Sequence, residues 1–232
     1  MNVVVLAAGA IGSSTDTPWY LREKNSRIFL EDVVSTLGGL SIDRLCFCFR
    51  DLDIKRYHLQ RVANFLSPRS LLVPVNDQVA GSAISCLLAV STLSSDKPLL
   101  IVSANEIVKA EIPEIVKHFE TSEFDGGCIT FRSLNPRYSY VSRDSDGEII
   151  EVVQQDPVSE EATTGLFWFR STNYFKDAAE KMILNQVRTN GVFYIGPAFN
   201  QMILSGRKVG AVSIPEDNYI PLKTLDDLSR IG

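Results

Sequence analysis

Val3-Val4-Val5-Leu6-Ala7-Ala8-Gly9-Ala10-Ile11-Gly12-Ser13-Ser14 carries an apolar run straight into a turn of glycines and small residues. An unbroken Val/Leu run reads as a strand buried on both faces, the pattern of a parallel sheet. Glycines just past such a strand let the backbone turn sharply and approach a ligand closely. Two readings stand at this point: a cradle for phosphate, if a helix follows with its free N–H groups, or an ordinary strand-to-loop turn. The rest of the chain decides between them.

Working outward, strand and helix signals alternate through the first half of the chain. Ile28–Leu37 has apolar residues at helical spacing and stops at Gly38-Gly39. Arg44–Phe49 reads as a strand. Asp53–Leu66 reads as one helix with Asp53 as its cap and Pro68 beyond its end. Leu71–Val75 is a short strand, and Ser82 is expected to cap a helix running to about Leu93. Leu99–Val102 is a buried strand, and Ile112–Phe119 a helix with Pro113 in its first turn. The alternation implies a mostly parallel sheet with helices on both faces. In such sheets ligands gather at the C-terminal ends of the strands, which here include Ser103-Ala104-Asn105-Glu106.

The second half reads differently. Gly127–Arg132, Ser139–Arg143, Glu148–Val153 and Gly165–Arg170 are four closely spaced strands, with a hairpin turn at Asp144-Ser145-Asp146-Gly147. Helices are expected at Asn173–Gln186, Tyr194–Leu204 and Thr224–Ile231, and a strand at Lys208–Ser213. No linker-like shift in composition divides the chain. The expectation is one domain, 1–232, in which antiparallel strands extend a parallel sheet.

Composition narrows the function classes. The chain has 232 residues, 45% hydrophobic and 22% charged, with a net charge of −5. That balance lacks the concentrated basic face of a nucleic-acid binder. The four cysteines, Cys46, Cys48, Cys86 and Cys128, match no zinc spacing, and only two histidines accompany them. They read as buried free thiols in a reducing compartment. No apolar run reaches membrane-spanning length, and the N-terminus lacks a signal-peptide pattern, so a cytoplasmic protein is expected.

Three segments carry a family resemblance: Asn135-Pro136-Arg137-Tyr138-Ser139-Tyr140-Val141, Ala162-Thr163-Thr164-Gly165-Leu166-Phe167-Trp168-Phe169 and Asn190-Gly191-Val192-Phe193-Tyr194-Ile195-Gly196-Pro197-Ala198-Phe199-Asn200. In order and spacing the chain resembles the sugar-phosphate nucleotidyltransferases, which join a nucleoside triphosphate to a sugar phosphate and release pyrophosphate. The resemblance implies a glycosyltransferase-A-type fold: a three-layer α/β/α sandwich with a mostly parallel mixed central sheet. It implies a nucleotide-binding half, 1–120, and a sugar or acceptor half, 121–232. Residues Ala8, Gly9, Gly12 and Ser13 then fall in the nucleotide loop, Gln78 and Gly81 in the base-reading segment, and Thr164 and Gly165 on the sugar side.

The same resemblance exposes departures. Ser14 stands where the family has its phosphate-gripping arginine, and Trp19 where it has a lysine. Asn105 stands for the aspartate that holds Mg²⁺. Gln154-Gln155 replaces a Glu-Lys pair, and Val192 a glutamate. Nucleotidyl transfer depends on neutralising charge as the pentavalent phosphorus forms. Losing one such stabiliser typically costs on the order of 3 kcal/mol of transition-state stabilisation. Gln, Asn and Ser keep hydrogen-bonding ability, and Trp19 offers a stacking face. The expectation is a nucleotidyltransferase-like protein that binds a nucleotide or nucleotide sugar with weak or no transfer, with a homo-oligomer or an active paralogue as partner.

Two other readings stay open. One is a working transferase in altered geometry, Mg²⁺-dependent, with Lys24, Glu106 or Asp226 as catalytic candidates and Asn105 or Glu106 toward the metal. The other is a nucleotide-sugar-dependent glycosyltransferase using Asp51-Leu52-Asp53 or Asp144-Ser145-Asp146 as an Asp-x-Asp motif, although both read more simply as solvated turns.

Overall fold

A computed structural model of the chain describes residues 1–9 and 17–222. The elements run β1 (Asn2–Leu6), β2 (Glu23–Lys24), β3 (Arg27–Ile28), α1 (Phe29–Ser35), β4 (Arg44–Arg50), α2 (Asp51–Arg56), α3 (Leu59–Leu66), β5 (Leu71–Val75) and α4 (Ser82–Val90). They continue with β6 (Leu99–Ser103), β7 (Glu106–Val108), α5 (Ile112–Thr121), β8 (Gly126–Arg132), β9 (Ser139–Arg143), β10 (Ile149–Gln154) and β11 (Glu161–Phe169). The last are α6 (Thr172–Leu184), α7 (Ala198–Ile203), β12 (Val209–Ile214) and β13 (Tyr219–Pro221).

Among the described residues, nine strands form the central sheet. Its parallel core has β1 in the middle, flanked by β4 and β6, with β5 outside β4. Strand β11 runs antiparallel to β6 and to β8, and β12 adds to β8 in parallel. The β9–β10 hairpin joins at Ala162 of β11 through Tyr140. The order is the α/β architecture expected from the alternation of elements.

Strand pleating explains the layers. Val3, Val5, Leu45, Phe47, Phe49, Leu100 and Val102 face one apolar core with residues of α1, α3 and α5. Val4, Cys46, Cys48, Leu99 and Ile101 face the other, with residues of α4, α6 and α7. Successive residues of a strand point to opposite faces, so one continuous apolar run fills both cores. Each fully buried side chain of this size stabilises by about 1.5–3 kcal/mol.

The structure corrects several boundaries. The helix expected over Asp53–Leu66 is two helices, broken at His58, which is left-handed at φ 52°. Asp53 caps nothing: it is buried at 2% exposure and paired with Arg50, so it is not a solvated turn residue. The residue preceding α4 as its cap is Gly81, at φ 116°, with Ser82 already helical. The helix expected from Tyr194 begins only at Ala198, after Pro197; Ile195 and Gly196 bend into a turn whose carbonyls accept from Ala198 and Phe199 N–H. Short strands β2, β3, β7 and β13 carry no periodicity and were not expected. The helix expected at Thr224–Ile231 lies outside the described residues.

All four cysteines are free and buried, as expected. Burial pushes their thiols up, Cys46 to about 11 and Cys128 to about 12, with Cys48 and Cys86 also raised. The sign follows from linkage. A folded-state value above the unfolded one gives stability that is complete below the unfolded value of 9.0 and is lost as pH rises toward the folded values. Each thiol then contributes a fall of about 1.4 kcal/mol per pH unit. Denaturant titrations at pH 8 and pH 10 are expected to show a clear loss of stability at the higher pH; equal midpoints would contradict the burial of the thiols.

Candidate functional site

The C-terminal ends of β6, β1, β4 and β5 open into a cleft of about 570 Å³, closed on the far side by β11, the start of β9 and the end of β10. Cross-strand register aligns Leu6 with Cys48 and with Ser103. The turn after β1 therefore emerges between Arg50 of β4 and the Ser103–Asn105 corner of β6. Ala8 and Gly9 line the cleft. A Cβ placed at Gly9 would meet Asn105 Nδ2 at 3.0 Å, so the glycine gives the Asn105 amide its room.

Asn105 is held from both sides. Its N–H donates to Ser103 Oγ at 3.3 Å, and its carbonyl accepts from Leu222 N–H at 2.8 Å. Glu106 follows on β7 and is 7% exposed. Its Oε1 accepts from Gly165 N–H, and its Oε2 accepts from Tyr219 OH at 3.0 Å. Strand β11 is irregular between Thr163 and Phe167, where it leaves the ladder with β8. Such a bulge re-aims backbone, and here the freed Gly165 N–H finds the carboxylate. Tyr219 is packed on Phe131 at 4.0 Å between ring centroids. Burial first, then the Glu106 charge, raises its phenol well above the ordinary value.

The loop leading into α4 is pinned by backbone bonds. Phe193 N–H donates to Ala80 O at 2.9 Å, and Ala83 N–H donates to Phe193 O at 3.1 Å. Gly81 sits against this pairing: a Cβ there would overlap the Phe193 carbonyl and approach Val192 Cγ1 to 2.6 Å. The Phe193 carbonyl also occupies one of the N-terminal N–H groups of α4, which is therefore not open to an anion.

The residues singled out from the sequence divide clearly. Ala8, Gly9, Gly81, Asn105, Glu106, Gln154, Thr164, Gly165 and Val192 all line the cleft. Gln154 accepts from Ser139 Oγ within it. Gln155 turns away at φ 62°, and its Oε1 accepts from Asn190 Nδ2 at 2.7 Å. Gln78 sits at the exposed tip of its loop, with its N–H on Asn76 Oδ1 at 2.8 Å, while Asn76, Asp77 and Val79 line the cleft. Lys24 lines a separate groove with Arg27 and Lys109, because the β2–β3 hairpin turns through Asn25 and Ser26 at positive φ. Trp19 is not among the described lining residues; Arg22 covers its ring at 3.7 Å. Gly12, Ser13, Ser14 and Asp226 lie outside the described residues. Asp144 holds its own turn, accepting from Asp146 and Glu148 N–H at 3.0 Å each.

Sequence reading passed over Arg50, Asp77, Arg137, Tyr138 and Tyr219, which also line the cleft. Arg50 had one visible signal, its place at the end of a buried strand with Asp53 three residues on. The described lining holds four charged side chains, Arg50, Asp77, Glu106 and Arg137, so its formal charge sums to zero. No three His, Cys, Asp or Glu side chains come together among the described residues. The donors at the β6 corner are one neutral amide and a carboxylate already bonded twice. Mg²⁺ prefers anionic oxygens in near-octahedral array, and this set fits a protein-held Mg²⁺ poorly.

With this architecture, a cleft at the strand ends of one mixed sheet, the molecule is an α/β protein. Residues 52–199 match the nucleotidyl transferase family, and the chain belongs to it. It is 20% identical over 95% of its length to the bifunctional protein GlmU of Carboxydothermus hydrogenoformans, covering 49% of that protein. The chain thus spans about half the length of the curated relatives it matches. In fold it resembles the nucleoside-diphosphate-sugar pyrophosphorylase of Vibrio cholerae RC9, with TM-score 0.79, 16% identity, and coverage of 97% of this chain and 98% of the other. It also resembles the inositol-1-phosphate CTP transferase of T. maritima, with TM-score 0.75, 15% identity, and coverage of 97% and 90%. Among the described residues no helix is long and apolar enough to cross a membrane.

Proposed function

We propose that the cleft binds a nucleotide or nucleotide sugar and performs little or no nucleotidyl transfer. In this reading residues 1–120 hold the nucleotide and 121–232 the sugar or acceptor group within one domain. The observation that carries it is the charge of the cleft. A triphosphate and a sugar phosphate bring several negative charges together, and the transition state redistributes that charge over the oxygens of the reacting phosphorus. Against that, the two arginines of the described lining are offset by two carboxylates. In sequence, residues 10–16 include Asp16 and no Lys or Arg. Asn105 and Gln154 can orient polar groups by hydrogen bonding but supply no charge.

Ala8, Gly9 and Gly81 shape the nucleotide side, with Gly12 and Ser13 following a few residues on in the sequence. Thr164 and Gly165 face the sugar side, and Asn105 and Gln154 stand between. Glu106 acts as the tether that holds Gly165 in place. Mg²⁺, if it enters with a nucleotide, is carried by the phosphates rather than by the chain.

Calorimetric titration with nucleotides and nucleotide sugars tests this reading, run once with Mg²⁺ and once with EDTA. The expected result is binding whose affinity changes by less than about threefold between the two conditions. Binding that needs Mg²⁺ would favour a working transferase with a rearranged metal site, and no binding at all would remove the proposal.

A further inference from the structure

Arg50 lines the cleft without a place on its phosphate or sugar side. It stands at the C-terminal end of β4, level with Ala8 because Ala7 N–H donates to Cys48 O at 2.9 Å. Its neighbour across the sheet is Val75, the last residue of β5 before Asn76-Asp77. The side chain is 12% exposed and locked by Asp53: Nε donates to Oδ2 at 2.8 Å and Nη2 to Oδ1 at 3.0 Å. That pairing uses one edge of the guanidinium. Nη1 makes no hydrogen bond among the described residues, so the other edge, a fork of two N–H donors, remains for a ligand.

The charges around this fork argue against a phosphate. Asp53 is a full counter-ion at hydrogen-bond distance, and the charge of Asp77 also acts on Arg50. With Arg50 at +1 and Asp53 and Asp77 at −1 each, the local sum is negative. The floor beside it is apolar, from Leu6, Ala8, Val75 and Val79. An apolar floor with a donor fork and a carboxylate on its rim suits a flat, neutral, polar-edged ring.

We infer, building on the nucleotide-binding reading above, that Arg50 and Asp77 read the base and select cytosine or guanine. A two-donor fork needs two adjacent acceptors. Guanine offers O6 and N7, and cytosine offers O2 and N3. Both also carry amino donors for a carboxylate. Uracil and thymine place an N–H between their carbonyls, and adenine places an amino group beside N7, so each would meet the fork with a donor. Asp53 is the positioning residue, because it fixes the plane of the guanidinium.

Calorimetric titration of the protein with CMP, GMP, UMP, dTMP and AMP tests this directly. CMP or GMP is expected to bind at least about tenfold tighter than the other three, the discrimination of one good bidentate contact; the CMP and GMP arms distinguish pyrimidine from purine. The Arg50→Gln/Asp53→Asn double variant replaces a buried ion pair by a neutral hydrogen-bonding one. With folding verified by circular dichroism, it is expected to bind all five within about threefold of one another. The Asp77→Ala variant alters an exposed loop residue and is expected to reduce the preference without abolishing binding. Equal affinities in the wild type, a preference for UMP, dTMP or AMP, or a preference that survives in the folded double variant would overturn the inference while leaving nucleotide binding intact. Failure of all five to bind would overturn both.

Discussion

Gly81→Ala is expected to destabilise the protein by about 3 kcal/mol or more, from two mechanisms at one position. At φ 116° the backbone is in a region that residues with a Cβ rarely adopt. The added methyl would also fall on the Phe193 carbonyl oxygen and near Val192 Cγ1. Neither can yield cheaply, because that carbonyl accepts from Ala83 N–H while Phe193 N–H donates to Ala80. Relief would require the 190–196 segment to move off the loop, which opens the cleft on its base side. For a chain of this size the melting temperature should fall by roughly 6–12 °C. Nucleotide binding should weaken in the same variant. Gly147→Ala is the control: its φ is also positive, at 82°, but no atom lies within 4 Å of an added Cβ, so a drop of about 1–2 kcal/mol is expected there. Equal melting temperatures for the two variants would contradict the close packing at Gly81.

Glu106→Ala is the second large effect. It strips the acceptor from the part-buried Gly165 N–H and from the buried Tyr219 OH. A buried donor left unsatisfied costs about 1–3 kcal/mol, so a loss of about 3 kcal/mol is expected for the pair. Glu106→Gln separates the two roles considered for this residue. The amide oxygen still accepts from Gly165 and the amide NH₂ can donate to the tyrosine oxygen, so most of the stability should return. Nucleotide affinity measured in Mg²⁺ should also match the wild type. A Glu106→Gln variant that folds normally but loses Mg²⁺-dependent binding would make Glu106 a metal ligand and contradict its role as a tether.

The parallel core was legible because pleating writes itself into sequence. Val3, Val4 and Val5 must fill two cores at once, and only a continuous apolar run does so. Strands of two or three residues leave no such trace. Glu106-Ile107-Val108 reads as a polar-to-apolar step, and its partner Tyr219 lies 113 residues away along the chain. The break at His58 was hidden because Asp53–Leu66 keeps helical spacing across it. Gly9, Asn105 and Gln154 follow or end strands, so register fixes that they line the cleft. Gln78 and Lys24 lie on loops whose direction is set by backbone dihedrals rather than by periodicity, and they do not line it. Arg50 escaped notice because the significance of an arginine at a strand end depends on what the neighbouring strands bring beside it.

The central claim is a nucleotide cleft that has lost the charge for transfer, and pyrophosphate release tests it most directly. The four ribonucleoside triphosphates and dTTP, each with Mg²⁺ and a panel of sugar 1-phosphates and inositol 1-phosphate, should yield pyrophosphate at the rate of a reaction without protein. Steady release that scales with protein concentration for any pair, at a rate typical of enzymes of about 1 s⁻¹ or faster, would contradict the account.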